Sequence, residues 1–491
     1  MSEPKRLHPV AAVLSAIKMI KEALIPLVIF FVFGGSDESD WWAMLELIAI
    51  PVFILLFIGY GILDWWRFTY RVEQGELRIE SGVFIKKKRY IRFERIHSID
   101  KTEGILQRLF GLVKLKVETA GSSADLADAT LTAITKDEAE RINAIFHELK
   151  KKGKIAIDNE SEAPDAENQG LEKAEQVQGV FQQSFKELFI MAATSGGVGV
   201  VFSGAIAFFG QFDEIIPYSR LFNGFEQIVK GSISFIAILV FFGLLFAYVI
   251  ATARIVLKYA FFTIKKHEDK IMISRGLLER RQLTIPLEKI QAIRIAENLI
   301  RQPLGYASVY VEYAGGSILD KESSNVMLFP LIKKEKIEEL IQTFIPEYHI
   351  HVQINPLPKR SFKRYLFRIS LIIIPIAALC SFFLRPWGFL SLLLLPLGAF
   401  WAYLCFRGAG WNISGDQLQL RFRTISKQTF IFQKNRIQAV YSEISPFQKR
   451  KNLASISAVV KSGVGPRVGK VVDLEAADSE TIKEWFLERR N

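Results

Sequence analysis

The sequence predicts membrane α-helical hairpins plus β structure: three tandem units, each a two-helix apolar hairpin followed by an antiparallel sheet that closes with one amphipathic helix. Three observations carry this. A short signature recurs as Arg95-Ile96-His97-Ser98-Ile99, Lys289-Ile290-Gln291-Ala292-Ile293 and Arg436-Ile437-Gln438-Ala439-Val440. Around the first two copies, residues 68–121 lie on 262–315 without a gap at an offset of 194, and 14 of the 54 positions are identical, which marks a duplication. Finally, half of the residues are hydrophobic while 23% are charged, a mixture that suits apolar spans alternating with water-facing domains rather than one large core.

Taken in order, an apolar stretch at 10–33 carries Lys18, Lys21 and Glu22 half-way along. It reads as a span whose lysines snorkel toward the cytoplasm, with an interfacial or re-entrant segment as the alternative. The acidic loop 34–40 separates it from a second span at 43–63. Strand patterning follows. Leu77/Ile79, Val83/Ile85, Ile91/Phe93 and Val113/Leu115/Val117 alternate with polar residues, as in a half-exposed antiparallel sheet. Thr135-x-x-Glu138 then has the form of a capping box, and Ile142, Ile145, Phe146 and Leu149 make one apolar helical stripe. The stripe returns at Ile337 and at Ile482. It begins 46, 47 and 45 residues after the isoleucine of each signature.

Residues 153–180, rich in Glu, Gln and Ala without an aromatic, read as a solvated acidic linker. The second hairpin is expected at 188–209 and 232–253, and the third at 366–383 and 387–406. In the second, Ser195, Gly199, Ser203 and Ala207 recur every fourth residue, a small-residue face for close helix packing, either within the hairpin or toward another subunit. The third unit is the most worn. At an offset of 147 it keeps Leu418/Leu420 and places Asn452 where the others have Gly111 and Gly305, and asparagine is the side chain that best tolerates a left-handed backbone. The expected division is hairpin 1–66, domain 67–152, linker 153–180, hairpin 181–258, domain 259–347, hairpin 348–408 and domain 409–491.

Even numbers of spans put both termini and all three sheet domains on one side. The basic short flanks, Lys5, Arg6, Lys18 and Lys21, then Lys359, Arg360, Lys363 and Arg364, make that side cytoplasmic. With this topology, the net charge of +12 points to anionic lipid headgroups more than to nucleic acid. The two cysteines, Cys380 and Cys405, lie in apolar stretches and suggest neither disulfide nor thiol chemistry.

Gly82-Val83-Phe84, Arg-Ile-x-x-Ile, Leu109-Phe110-Gly111-Leu112 and the run Val117 to Gly121, behind a membrane hairpin and Arg6-Leu7-His8-Pro9, resemble the bacterial PH-like domains of YdbS/YdbT-type membrane proteins. The resemblance covers nearly the whole chain. It implies that each unit carries a PH-like, partly open β-barrel capped by its C-terminal helix. It also implies a cell-membrane location, a YdbS-like single-domain membrane protein as partner, and a link with defence against membrane-active antimicrobial peptides. The family supplies no catalytic residues.

No catalytic constellation stands out. His349-x-His351 has a spacing that would suit a metal, but no cysteine or acidic cluster joins it, and no cofactor is expected. Lys86-Lys87-Lys88-Arg89 is the densest basic run, read equally as lipid contact or as lysine protection of an edge strand. The expected function is a non-enzymatic polytopic scaffold. The alternative is a transporter or flippase for an amphipathic peptide or lipid, which would need polar groups or broken helices near the midplane. The spans offer chiefly Glu46 and the prolines Pro26, Pro51, Pro375 and Pro396.

Overall fold

A short strand precedes the apolar helices of each repeat and pairs with the first strand that follows them, a feature with no sequence signal. The computed structural model describes residues 3–33, 40–119, 129–158, 177–195, 233–314, 326–351, 353–383, 387–463 and 465–488. The chain divides into two compact units. The first is Met1–Glu175, Ser184–Thr263 and Met272–Thr284; the second is Gln176–Gln183, Ile264–Ile271 and Ile285–Asn491. Two units rather than three result because strands of consecutive repeats pair with one another, so contacts do not thin out at the repeat boundaries.

The first repeat comprises β1 (Lys5–Arg6), α1 (Val10–Phe33), α2 (Asp40–Arg67), β2 (Thr69–Glu73), β3 (Glu76–Ser81), β4 (Lys87–Arg92), β5 (Ile96–Glu103), α3 (Ile105–Leu109), β6 (Leu112–Thr119), β7 (Ala129–Thr135) and α4 (Lys136–Asp158). Its first sheet has the order β1-β2-β3-β4, and β7-β6-β5 belong to a second sheet that continues through β5 into the next repeat. Leu7, Val10 and Ala11 are buried in one core with Leu77, Ile79, Leu115 and Leu131 and with Ala139, Ile142 and Phe146 of α4. The start of the first span is therefore part of the sheet domain's core. Glu138 N–H donates to Thr135 Oγ1 (3.4 Å), the N-terminal cap its spacing implies.

The second repeat comprises β8 (Gly179–Gln182), α5 (Phe185–Ala193), α6 (Ile233–Tyr259), β9 (Thr263–Lys266), β10 (Lys270–Arg275), β11 (Arg280–Pro286), β12 (Ile290–Glu297), β13 (Tyr306–Tyr313), β14 (Val326–Lys333) and α7 (Ile337–Phe344). The third comprises β15 (Asn355–Pro356), α8 (Ser361–Phe383), a 3₁₀ stretch Trp387–Leu393, α9 (Leu394–Gly408), β16 (Gly410–Ser414), β17 (Gln417–Arg423), β18 (Lys427–Gln433), β19 (Ile437–Glu443), α10 (Pro446–Lys449), β20 (Leu453–Val460), β21 (Arg467–Glu475) and α11 (Ala476–Leu487). In the second unit one sheet runs β14-β13-β12-β18-β17-β16-β15, joining the second repeat to the third, and β19-β20-β21 form another.

The signature motif has a structural cause. In each repeat a 3₁₀ turn (Phe93–Arg95, Leu287–Lys289, Lys434–Arg436) delivers the chain to its isoleucine. One residue later the strand bulges: Ile96 opposes Thr119 and Ser98 opposes Glu118, so His97 is extra. Gln291 and Gln438 are extra in the same way, between Ile290/Ala292 and Ile437/Ala439. Residues three apart on a regular strand point to opposite faces, and one inserted residue returns them to the same face. Hence Ile96 and Ile99 both enter the first core, and Val440 packs against the core that holds Ile437.

A second bulge recurs before the last helix, leaving 132–133, 330–331 and 472–473 outside the ladder. Its second carbonyl anchors the segment that leads into the first helix of the repeat. Ala133 O accepts from His8 N–H (3.0 Å), Leu331 O from Gln183 Nε2 (3.1 Å) and Asp473 O from Ser361 Oγ (2.6 Å).

Helix packing relies on small residues. A Cβ at Gly61 of α2 would lie 2.8 Å from Ala12 O of α1, and one at Gly388 would lie 2.1 Å from Cys380 O, so the backbones approach too closely for a side chain. Among the described residues, Phe241–Tyr259, Ser361–Phe383 and Gly388–Gly408 are long and apolar enough to cross a membrane. The third hairpin begins at Ser361, earlier than the apolar pattern suggested, because Ser361, Arg364 and Tyr365 are held by β21 before the apolar run starts.

Candidate membrane-facing site

The turn between β3 and β4 projects an apolar tip. Gly82 has φ +109° and a Cβ there would lie 2.1 Å from Ile85 O, so glycine is required for the reversal. The reversal leaves Phe84 88% and Ile85 74% exposed. Arg67, the last residue of α2, donates from Nη1 to Val83 O (2.6 Å), which holds the tip beside the exit of the helix.

The β10–β11 tip repeats the arrangement. Gly276 N–H and Leu277 N–H donate to Ala260 O (2.7 Å) and Leu257 O (2.9 Å) at the end of α6, and Leu277 and Leu278 are exposed. Between β17 and β18, Ile425 is 73% exposed, while Arg421 of β17 donates to Gly408 O at the end of α9 (3.1 Å). A single exposed apolar side chain is ordinary. Apolar tips on all three first sheets, beside or near a helix exit, form a pattern.

The basic run divides over two places. Lys86 sits at the tip, 2.6 Å from Glu80, and the Lys86 hydrogen bond is the main reason the Glu80 carboxyl titrates below its usual range. Lys87, Lys88 and Arg89 lie on β4, an end strand of its sheet, with Lys88 3.9 Å from Glu80. Of the small-residue face, Ser195 donates to Ala192 O (2.8 Å), and Gly199, Ser203 and Ala207 lie outside the described residues. His349 and His351 use their backbone N–H groups to reach Gln417 Oε1 (3.1 Å) and Gln419 Oε1 (3.3 Å). They border a cleft of about 560 Å³ shared with Glu347, Asp416 and Arg436. Among the described residues no group of His, Cys, Asp and Glu could hold a metal ion.

Gly111, Gly305 and Asn452 follow the short segment after the signature strand, with φ of +66°, +72° and +51°. A Cβ at either glycine meets nothing within 4 Å, so backbone conformation alone selects the residue. Asn452→Ala is therefore expected to lower stability by about 1 kcal/mol and Asn452→Gly to change it by a few tenths, read from denaturant unfolding in mild detergent.

Sequence reasoning missed Asp473, which is fully buried. It receives Arg364 Nε (2.7 Å) and Arg368 Nη2 (2.6 Å) from α8 and Gln448 Nε2 (2.9 Å) from α10. Arg364 was legible only as flank charge. The available signal was an aspartate inside the apolar strand run Val471-Val472-Asp473-Leu474.

Paired sheets beside apolar helices, repeated three times, define a membrane protein built on PH-like domains. The chain belongs to the bacterial PH domain family, whose model matches residues 23–150, 209–347 and 368–490. It is similar to the UPF0699 transmembrane protein YdbT of Bacillus subtilis (strain 168), 40% identical over 493 residues that cover 99% of this chain and 98% of that protein.

Proposed function

We propose that the chain is a non-enzymatic scaffold with six spans, arranged as one hairpin before each helix-capped PH-like barrel, that presents three cytoplasmic domains to the inner leaflet. The observation that carries this reading is the set of exposed apolar tips on the first sheets. Phe84 and Ile85 dip into the interface, where full burial of each such side chain contributes about 1.5–3 kcal/mol. Lys86 meets anionic headgroups, which contribute about 1 kcal/mol per basic residue near the surface. The work proposed for the assembly is envelope defence against membrane-active peptides, together with a YdbS-like single-domain partner. A transport path has less support, because residues 369–383 and 387–406 contain no Asp, Glu, Lys, Arg or His.

The test uses the full chain in nanodiscs of anionic lipid, with Cys380→Ala and Cys405→Ala, and a spin label at Phe84→Cys. The label is expected to be accessible to oxygen and shielded from a soluble nickel chelate. A label at Glu480→Cys on α11 provides the water-exposed reference. Equal nickel accessibility at the two positions would refute insertion.

A further inference from the structure

The repeats join through strand edges in one fixed register, and among the described residues the corresponding strand of the first repeat and that of the third each end a sheet. Inside the first unit β11 pairs with β5, with Arg280↔Glu103, Arg281↔Thr102 and Gln282↔Lys101 opposed. Inside the second unit β18 pairs with β12, with Lys427↔Glu297, Gln428↔Ala296, Thr429↔Ile295 and Phe430↔Arg294 opposed. Shifting the first junction by the repeat offsets of 194 and 147 carries Glu103 onto Glu297 and Arg280 onto Lys427. Both junctions therefore share the same register and place a basic residue opposite a glutamate. At the second, Lys427 lies 3.0 Å from Glu297, and Arg294 stands 5.9 Å from the ring of Phe430.

β4 is the first repeat's counterpart of β11 and β18, and it ends a sheet of order β1-β2-β3-β4. β19 is the third repeat's counterpart of β5 and β12, and it ends the sheet β19-β20-β21. Carrying the shared register one step further sets Glu443 opposite Lys87, Ser442 opposite Lys88, Tyr441 opposite Arg89, Val440 opposite Tyr90 and Ala439 opposite Ile91. The pairings are complementary. Glu443 against Lys87 opposes unlike charges one position from where the internal junctions do. Tyr441 against Arg89 repeats the Arg294–Phe430 pair with the cation on the other strand. Tyr90 and Tyr441 are both exposed. Two copies of β4 cannot pair in this way, because Lys87, Lys88, Arg89 and Arg92 would face one another, and like charges directly opposed destabilise a sheet.

We propose that a second copy of this chain occupies each edge. β19 of one copy pairs with β4 of the next, so that the internal junction continues between molecules in a head-to-tail row or ring. Lysines on an edge ordinarily block pairing. Here they select a partner edge that carries an acid and an aromatic ring.

The experiment co-expresses two tagged full-length chains that lack Cys380 and Cys405, one with Lys88→Cys and the other with Ser442→Cys. After mild oxidation in membranes, a disulfide dimer bearing both tags is expected, since directly opposed residues place their Cβ atoms within about 4.5–5.5 Å. The pair Arg89→Cys with Ser442→Cys, whose side chains leave opposite faces of the ladder, is expected to cross-link severalfold less. Glu443→Lys should lower the yield about two- to fivefold, and adding Lys87→Glu in the other chain should restore it. No dimer, equal yields from the two registers, or a chain that is monomeric in mild detergent would overturn the proposal, including when β4 is taken by a different PH-like protein. The readout is independent of tip depth, so it can fail while insertion of Phe84 stands.

Discussion

Gly276→Ala is expected to destabilise the first unit by about 3 kcal/mol or more, and to release the β10–β11 tip from the end of α6. Gly276 has φ +105°, a conformation closed to side chains, and an added Cβ would lie 2.0 Å from Glu279 O and 3.0 Å from Glu279 C. Both atoms belong to the backbone of the same turn, so no rotamer change relieves the overlap. The turn can open only by losing the bonds from Gly276 and Leu277 N–H to Ala260 and Leu257 O. Those bonds fix where Leu277 and Leu278 sit beside the end of α6. Gly243→Ala in α6 is the control, because nothing lies within 4 Å of its added Cβ. Denaturant unfolding in mild detergent, followed for both variants, would contradict this account if they shifted equally. Gly82→Ala should behave as Gly276→Ala does, since Gly82 has φ +109° and its Cβ would meet Ile85 O.

What the sequence revealed follows from what periodicity and duplication encode. Alternation exposed strands such as β3 and β6 because one face of each is buried. The threefold repeat exposed the order of elements, and Asn452 was legible because few residues accept its backbone. The signature was recognised as a repeat, but its bulge was not, since a bulge changes facing without changing residue type. His97, Gln291 and Gln438 share a register position rather than a chemistry. The strands β1 and β15 have two residues each, too short for any period to register. The tips were hidden because Phe84 and Ile85 read as ordinary strand residues until the Gly82 turn placed them outside the ladder. The edge junctions were hidden because pairing between repeats depends on long-range register. Only the recurrence of a basic residue at Lys86, Arg280 and Lys427 and of glutamate at Glu103 and Glu297 hinted at them.

Asp473→Ala is expected to weaken the third repeat by about 2–4 kcal/mol. The carboxylate is fully buried and lies between two guanidinium groups one helical turn apart. Removing one partner of a buried charge pair costs about 3–5 kcal/mol when the other is left without compensation. Here Arg364 is 27% and Arg368 42% exposed, so solvent reaches part of what remains, and the cost falls toward the lower end. Alanine adds a second penalty of about 1 kcal/mol, because residue 473 has φ +62°. Asp473→Asn separates the contributions. It tolerates the left-handed backbone and keeps one acceptor oxygen, losing the charge and the second acceptor, so its effect should be smaller than that of alanine. The same change should loosen the entry of α8, because Ser361 Oγ and Tyr365 Oη donate to Asp473 O and Val472 O at the same bulge. Protease cleavage between residues 346 and 360 would then rise with Asp473→Ala. Unfolding midpoints that leave both variants at the wild-type value would show that the two arginines serve the bilayer surface rather than the bulge.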